Sequence, residues 1–264
     1  MRITVFTGNQ PSHVALIEAL AGVADEVYAI QECTTIFPGQ VDDFFRKSDT
    51  MQTYFRRVQS AEQLVFGQPR FVPAHARQLA LRMGDLSQTS PSVLAPALRS
   101  DVYVVFGASY IKGPLCDHLL AHRAVNIHMG VSPYYRGSST NFWAMYDNAP
   151  QYVGATIHRL TAGLDSGPII CHSFPRSEAA DPFVIGMRAV QSAHRAVVGM
   201  LQSGELLRVE PVAQDRSLER RYSRNADFTD EVAAEYLART PTAADMEKML
   251  NERTFDDMVR PFVA

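Results

Sequence analysis

Nowhere among the 264 residues is there an unbroken apolar run of about 18, so no membrane-spanning helix is expected. The apolar stretch that opens the chain lasts only about five residues before turn formers interrupt it, too short for a signal-peptide core, and a cytoplasmic location is expected. Cysteine is scarce. Cys33, Cys116 and Cys171 are odd in number, far apart and without a C-x-x-C pair, which excludes a metal ribbon or dithiol couple and leaves reduced, mostly buried thiols. Neither G-x-G-x-x-G nor G-x-S-x-G occurs, so a dinucleotide fingerprint and a nucleophile elbow are both missing. There is no cationic excess either: the net charge is −3, which argues against a broad phosphate-backbone footprint and a nucleic-acid partner.

What is present is an ordinary soluble composition, 46% apolar and 20% charged, at a length that supports one large core plus a small appendage. A β-rich run at 3–7, the turn Gly8-Asn9-Gln10-Pro11, a helical pattern through Val14, Leu16, Ile17 and Leu20, and a second run at 27–30 read as a βαβ unit. Residues 41–64 are polar and helix-compatible, 67–76 read as loop, and this section is expected to pack against the sheet without joining it. A helix start follows Ser90-Pro91. Val102 to Phe106 (VYVVF) has the continuous apolar character of a strand buried on both faces. A short helix at 115–121, strands at 124–127, 153–159 and 168–174, and an amphipathic helix at 183–201 complete the expected core. The fold class is therefore α/β, a Rossmann-like, mostly parallel sheet with helices on both faces, over residues 1–204. Residues 205–264 form a short extension of connection and helices.

The chemistry concentrates at 125–137 and 154–169. Strand alternation puts Asn126 and His128 on one side, projecting from the C-terminal end of a parallel strand, where open α/β sheets bind ligands. Asp165 sits in a glycine-flanked loop between two strands, which can turn sharply and return a carboxylate toward the imidazole. His118 and His122 are four apart on a helix but lack a third metal ligand, so a solvated face is expected and no metal site is assigned. Trp143 is read as core packing. The turn around Gly8 to Ser12 suits an anion at a helix N-terminus or a plain strand-to-helix turn.

Taken together, N-x-H, a Ser-Pro and Tyr-Arg-Gly loop, T-x-H and L-D-S-G-P resemble the core of the folate-dependent formyltransferases over about residues 100–175. The resemblance implies that Asn126, His128 and Asp165 are the catalytic triad, that Thr156 and His158 form the T-x-H element, and that 10-formyltetrahydrofolate is the formyl donor. It further implies that Phe106, Gly107, Ala108, Ser109, Tyr110 and Ile111 hold the pterin in a cleft facing the Asp165 loop. The chain departs from the Ser-Leu-Leu-Pro common after the histidine, having Gly130-Val131-Ser132-Pro133. In this chemistry an amine attacks the formyl carbon, an amide and an imidazolium stabilise the oxyanion, and a carboxylate takes the proton and holds the imidazole charged.

The acceptor expected from the resemblance is a small-molecule amine on a nucleotide-linked sugar, as in cell-surface polysaccharide assembly. The stretch 154–159 and the segment 221–228, which resembles a Tyr-x-x-x-Asp-Phe element, favour it. Ser12, His13, Arg136, His158 and Arg159 are the candidate substrate contacts, with Arg136 and one or more of Ser12, His13 and Arg159 near a diphosphate. Another small amine, a 10-formyltetrahydrofolate hydrolase, methionyl-tRNA formyltransferase and an inactive binding module on the same fold are the alternatives. A homodimer is left open.

Overall fold

The computed structural model describes residues 1–42 and 48–264. The chain runs β1 (Arg2–Thr7), α1 (Pro11–Ala21), β2 (Glu26–Cys33), α2 (Asp49–Phe66), β3 (Ala76–Arg82), α3 (Pro91–Leu94), β4 (Val102–Phe106), α4 (Gly113–Ala121) and β5 (Val125–Met129). It continues through β6 (Tyr135–Gly137), α5 (Thr140–Tyr146), β7 (Ala155–Arg159), β8 (Ile169–Phe174), α6 (Pro182–Gln202) and α7 (Glu205–Arg208). The last elements are β9 (Arg221–Ser223), α8 (Asp230–Ala238), α9 (Ala243–Asn251) and β10 (Phe262–Val263).

Among the described residues eight strands form one sheet in the order β10-β8-β7-β5-β4-β1-β2-β3. The first five in sequence are parallel and doubly wound about β1, whereas β7 runs antiparallel to both β5 and β8. Alternation sorts the strand residues between two cores. Val5, Val104 and Ile127 join Leu16 of α1 and Val197 of α6 on one face, while Phe6, Tyr103 and Val105 join Leu94 of α3 and Leu119 of α4 on the other. A third, aromatic cluster fills the space past the end of β5, with Tyr54, Phe142, Trp143, Phe183 and Tyr236. Trp143 is buried there, as core packing requires.

Helix α6 starts where Asp181 accepts the Phe183 amide with Pro182 in the first turn, one residue from the expected boundary. The section at 41–76 meets the sheet only at its last residue, where a strand not expected from the sequence begins: β3 pairs with β2 from Ala76 to Arg82, and its outward residues are polar because it is an edge strand, which hid it from a search for apolar runs. Residues 43–47, inside the stretch read as helix-compatible, lie outside the described residues. The extension is more than connection and helices, since β9 pairs with β6 and β10 adds an edge strand beside β8. Among the described residues no helix is long and apolar enough to cross a membrane.

Candidate active site

The antiparallel pairing of β5 with β7 sets Asn126 opposite His158, so that side chains from two strands meet the loop carrying Asp165. His128 Nδ1 lies 3.3 Å from Asp165 Oδ1, and Asn126 Nδ2 donates to the same oxygen at 3.3 Å. The other N–H of Asn126 meets His158 Nε2 at 3.0 Å, while His158 Nδ1 bonds the Arg159 carbonyl at 2.8 Å. That carbonyl needs a donor, so the proton of His158 is on Nδ1 and Nε2 is the acceptor. Both N–H groups of Asn126 are therefore spent inside the cluster. His128 Nε2, on the far side of its ring, is buried and has no hydrogen-bond partner.

Burial by itself would raise the Asp165 carboxyl, but the His128 charge and the bond from His128 outweigh it and hold the group far below the usual carboxylate range. Its loop is strained and braced. Asp165 has φ +46°, and the Gln214 amide donates to the Asp165 carbonyl at 3.0 Å and to the Gly167 carbonyl at 2.8 Å. Arg136 donates to the Leu164 carbonyl at 3.2 Å. Gly167 is required by close approach, because a Cβ there would stand 1.7 Å from the Arg159 carbonyl oxygen.

The structure thus brings Asn126, His128 and Asp165 together as the sequence predicts and adds His158, expected among the substrate contacts, to their hydrogen-bond network. Thr156 is buried beside them and spans the strand end, accepting from the Ser132 amide at 2.8 Å and donating to the Gly130 carbonyl at 2.6 Å.

The remaining candidate contacts are otherwise engaged. Ser12 donates through both its amide, at 3.1 Å, and its hydroxyl, at 2.5 Å, to Glu62, so a carboxylate of the chain itself occupies this helix N-terminus. His13 accepts the Gly8 amide on Nδ1 at 2.8 Å and stacks on Phe106, and burial lowers its pKa to about 4, so it carries no charge for a phosphate at neutral pH. Arg136 is paired with Glu219 at 2.8 Å. Arg159 points to the opposite sheet face from His158 and bonds the Arg123 and Leu206 carbonyls, each at 2.9 Å. In this structure all four are held by partners within the protein.

In the proposed pterin loop, Phe106 and Ile111 are core residues. Ser109 is anchored by its amide, 2.6 Å, and hydroxyl, 2.9 Å, to the buried carboxylate of Glu32. Gly107 and Tyr110 are exposed and Ala108 half-buried, and the Tyr110 hydroxyl donates to the Ala162 carbonyl, tying this loop to the Asp165 loop. Sequence reasoning missed Glu32 and Gln214. Neither belongs to a motif, and only the fold shows which backbone groups they satisfy. His118 and His122 stack on each other at 4.0 Å, with His118 Nε2 on the Tyr103 hydroxyl.

Comparison with known proteins agrees with this layout. Residues 92–182 match the formyl transferase family model. A methionyl-tRNA formyltransferase of Trichlorobacter lovleyi is 27% identical over 184 residues, 64% of this chain and 58% of its own length, and one from Synechococcus is 26% identical over 164 residues, 61% and 51%. The chain spans little more than half the length of these curated relatives. Among solved structures, the formyltransferase PseJ of Anoxybacillus kamchatkensis, in complex with UDP-4,6-dideoxy-4-formamido-L-AltNAc and tetrahydrofolate, superposes with TM-score 0.53 at 16% identity, covering 95% of this chain and 97% of its own. The N-formyltransferase of Helicobacter canadensis, with folinic acid and dTDP-3-aminofucose, gives TM-score 0.51 at 14% identity, covering 86% and 72%. At such identities these structures speak for the fold. The segment that is similar to the formyl transferase family model supplies Asn126, His128, His158 and Asp165 alike.

Proposed function

We propose that the protein transfers a formyl group from 10-formyltetrahydrofolate to a primary amine carried by a nucleotide-linked sugar. The observation that carries the transfer reading is His128: one ring nitrogen rests on an ionised, braced carboxylate and the other is buried, unpartnered and next to the end of a parallel strand. An amine attacking the formyl carbon gives a tetrahedral intermediate with a developing oxyanion; a protonated His128 Nε2 can donate to it, hand its proton to the departing folate nitrogen and then take up the proton that the amine nitrogen loses. Asp165, held so far below its ordinary pKa, is a weak base; its role is to stay ionised and stabilise positive charge on the imidazole. Asn126 fixes that carboxylate, and it reaches an oxyanion only by giving up one of its two present bonds.

The donor reading draws on the half-exposed Tyr110 and Leu164, which leave an apolar rim between the two loops, and on the folates bound by the structural neighbours. The acceptor reading draws on the sugar nucleotides bound by those same neighbours. Transfer to methionyl-tRNA, the activity named for the curated relatives, fits less well with a net charge of −3 and a segment after Gly204 richer in Asp and Glu than in Lys and Arg. A panel of amines incubated with 10-formyltetrahydrofolate and read by mass tests the reading. Gain of one formyl group on an amino-sugar nucleotide is the expected result; release of formate with no formylated amine would make the protein a hydrolase.

A further inference from the structure

We propose that the cavity of about 570 Å³ between α2, α5 and the Asn225–Asp227 turn seats the amine-bearing ring of the acceptor, a deoxygenated amino sugar laid with its C–H face on aromatic side chains. This rests on the formyl-transfer reading and adds the acceptor's place and recognition chemistry.

The location follows from β5. Met129, the residue after His128, lines the cavity, and Thr140 closes its inner end by donating to the Met129 carbonyl. Between them lies Gly130. A Cβ on Gly130 would stand 2.3 Å from Thr140 Oγ1 and 3.1 Å from His128 Nε2, so the unpartnered nitrogen and the inner wall of the cavity share one space. Two substrates must reach the same imidazole from different sides. The loops at 106–111 and 161–167 occupy the sheet face onto which Asn126 and His128 project, whereas Met129 packs against the α1–α6 face. With the donor between those loops, the cavity is left for the acceptor.

The lining decides the class. Tyr54, Phe142 and Phe228 meet edge-on or tilted, with ring centroids 4.8–5.8 Å apart, and leave ring surface toward the cavity. Polar capacity comes from neutral groups. Asn141 spends its oxygen on the Gly154 amide at 3.1 Å and keeps its amide nitrogen, and Asn225 stands exposed at the mouth. Among the described residues no Lys, Arg, Asp or Glu lines the cavity, so a diphosphate inside it would meet no counter-charge from them, while an uncharged ring with few hydroxyls would match both the rings and the amides. The phosphates would lie outside, where the exposed Arg224 flanks Asn225. The three residues Asn225, Ala226 and Phe228 of the Tyr-x-x-x-Asp-Phe-like element thereby acquire a task in recognition.

Calorimetry on the full chain tests this with folinic acid as donor probe and dTDP-3-aminofucose as acceptor probe. Ala226→Trp, at an exposed position on the wall, should fill the cavity, and Asn225→Ala removes a rim amide with little risk to folding. The expected result is wild-type binding of both probes, at least about tenfold weaker amino-sugar binding in Ala226→Trp and a several-fold loss in Asn225→Ala, with folinic acid held within about twofold in each. Unchanged amino-sugar binding in both variants would overturn the proposal, and so would loss of folinic acid in place of the sugar, which would make the cavity the donor's seat. Should Ala226→Trp melt markedly lower, Asn225→Ala alone decides. Wild-type protein that binds folinic acid but not the amino sugar overturns the occupant and leaves the donor chemistry standing. Failure to bind folinic acid would remove the function itself.

Discussion

Asp165→Asn removes one charge and little else. The side chain keeps its shape, and an oxygen can still accept from either Asn126 or His128, but the negative charge 3.3 Å from His128 Nδ1 is gone. At that separation and an effective dielectric of about 20, an ion pair is worth about 5 kcal/mol. Only the part that grows as the ring takes up positive charge in the transition state affects turnover, so a loss of about 10² to 10⁴ in kcat is expected. Folate affinity should change little, because the substitution keeps the side chain's shape and leaves the 106–111 loop, the proposed seat of the pterin, untouched. Steady-state formyl transfer, folinic acid titration and a thermal melt on the same preparation separate these effects. A folded Asp165→Asn protein that turns over within a fewfold of wild type would refute the reasoning, since the carboxylate would then be a structural brace only.

Gln214→Ala leaves the Asp165 and Gly167 carbonyls without their shared donor, and kcat is expected to fall about tenfold with a much smaller change in folate affinity; an equal change in both would point to general loosening of the fold. Gly167→Ala drives a methyl into the Arg159 carbonyl and should abolish soluble expression or strongly lower the melting temperature, checked by expression and scanning fluorimetry. His172 donates from Nε2 to the Ser132 carbonyl at 2.8 Å and accepts the Val259 amide on Nδ1 at 3.0 Å, and burial lowers its pKa from 6.5 to about 4. Below about pH 6.5 the unfolded chain binds a proton that the folded ring refuses, so its contribution is intact above that pH and falls as the pH drops toward 4. Urea melts should show a loss of about 2 kcal/mol for this group between about pH 7.5 and about pH 5, and a flat profile would contradict it.

The buried strands were legible because their residues are uniformly apolar: VYVVF forms β4 at 102–106 without a residue's difference. Strand β3 was not, since an edge strand carries Arg77, Gln78 and Arg82 and spaces its apolar residues as a loop or helix would. At the site, alternation put Asn126 and His128 on one side and the flanking glycines put Asp165 in a sharp turn, while the roles expected of them came from the resemblance to the formyltransferases. The partners of the charged residues were not legible, because a sequence shows a cation or a helix N-terminus but not what folds against it. Glu62 is 50 positions from Ser12 and Glu219 is 83 from Arg136, and only folding brings each pair together. The same distance in sequence hid Gln214, which reaches the Asp165 loop from beyond the segment that matches the family model.

The central claim is that His128 Nε2 is the group that meets the formyl as it moves. A single-turnover experiment with donor carrying a carbon-13 formyl group and an amino-sugar nucleotide acceptor tests it, comparing wild type with His128→Ala at saturating folate. The account predicts a labelled formamide in wild type and transfer slowed by about 10² or more in the variant, with folinic acid still bound. Labelled formamide formed at the wild-type rate by His128→Ala would contradict it.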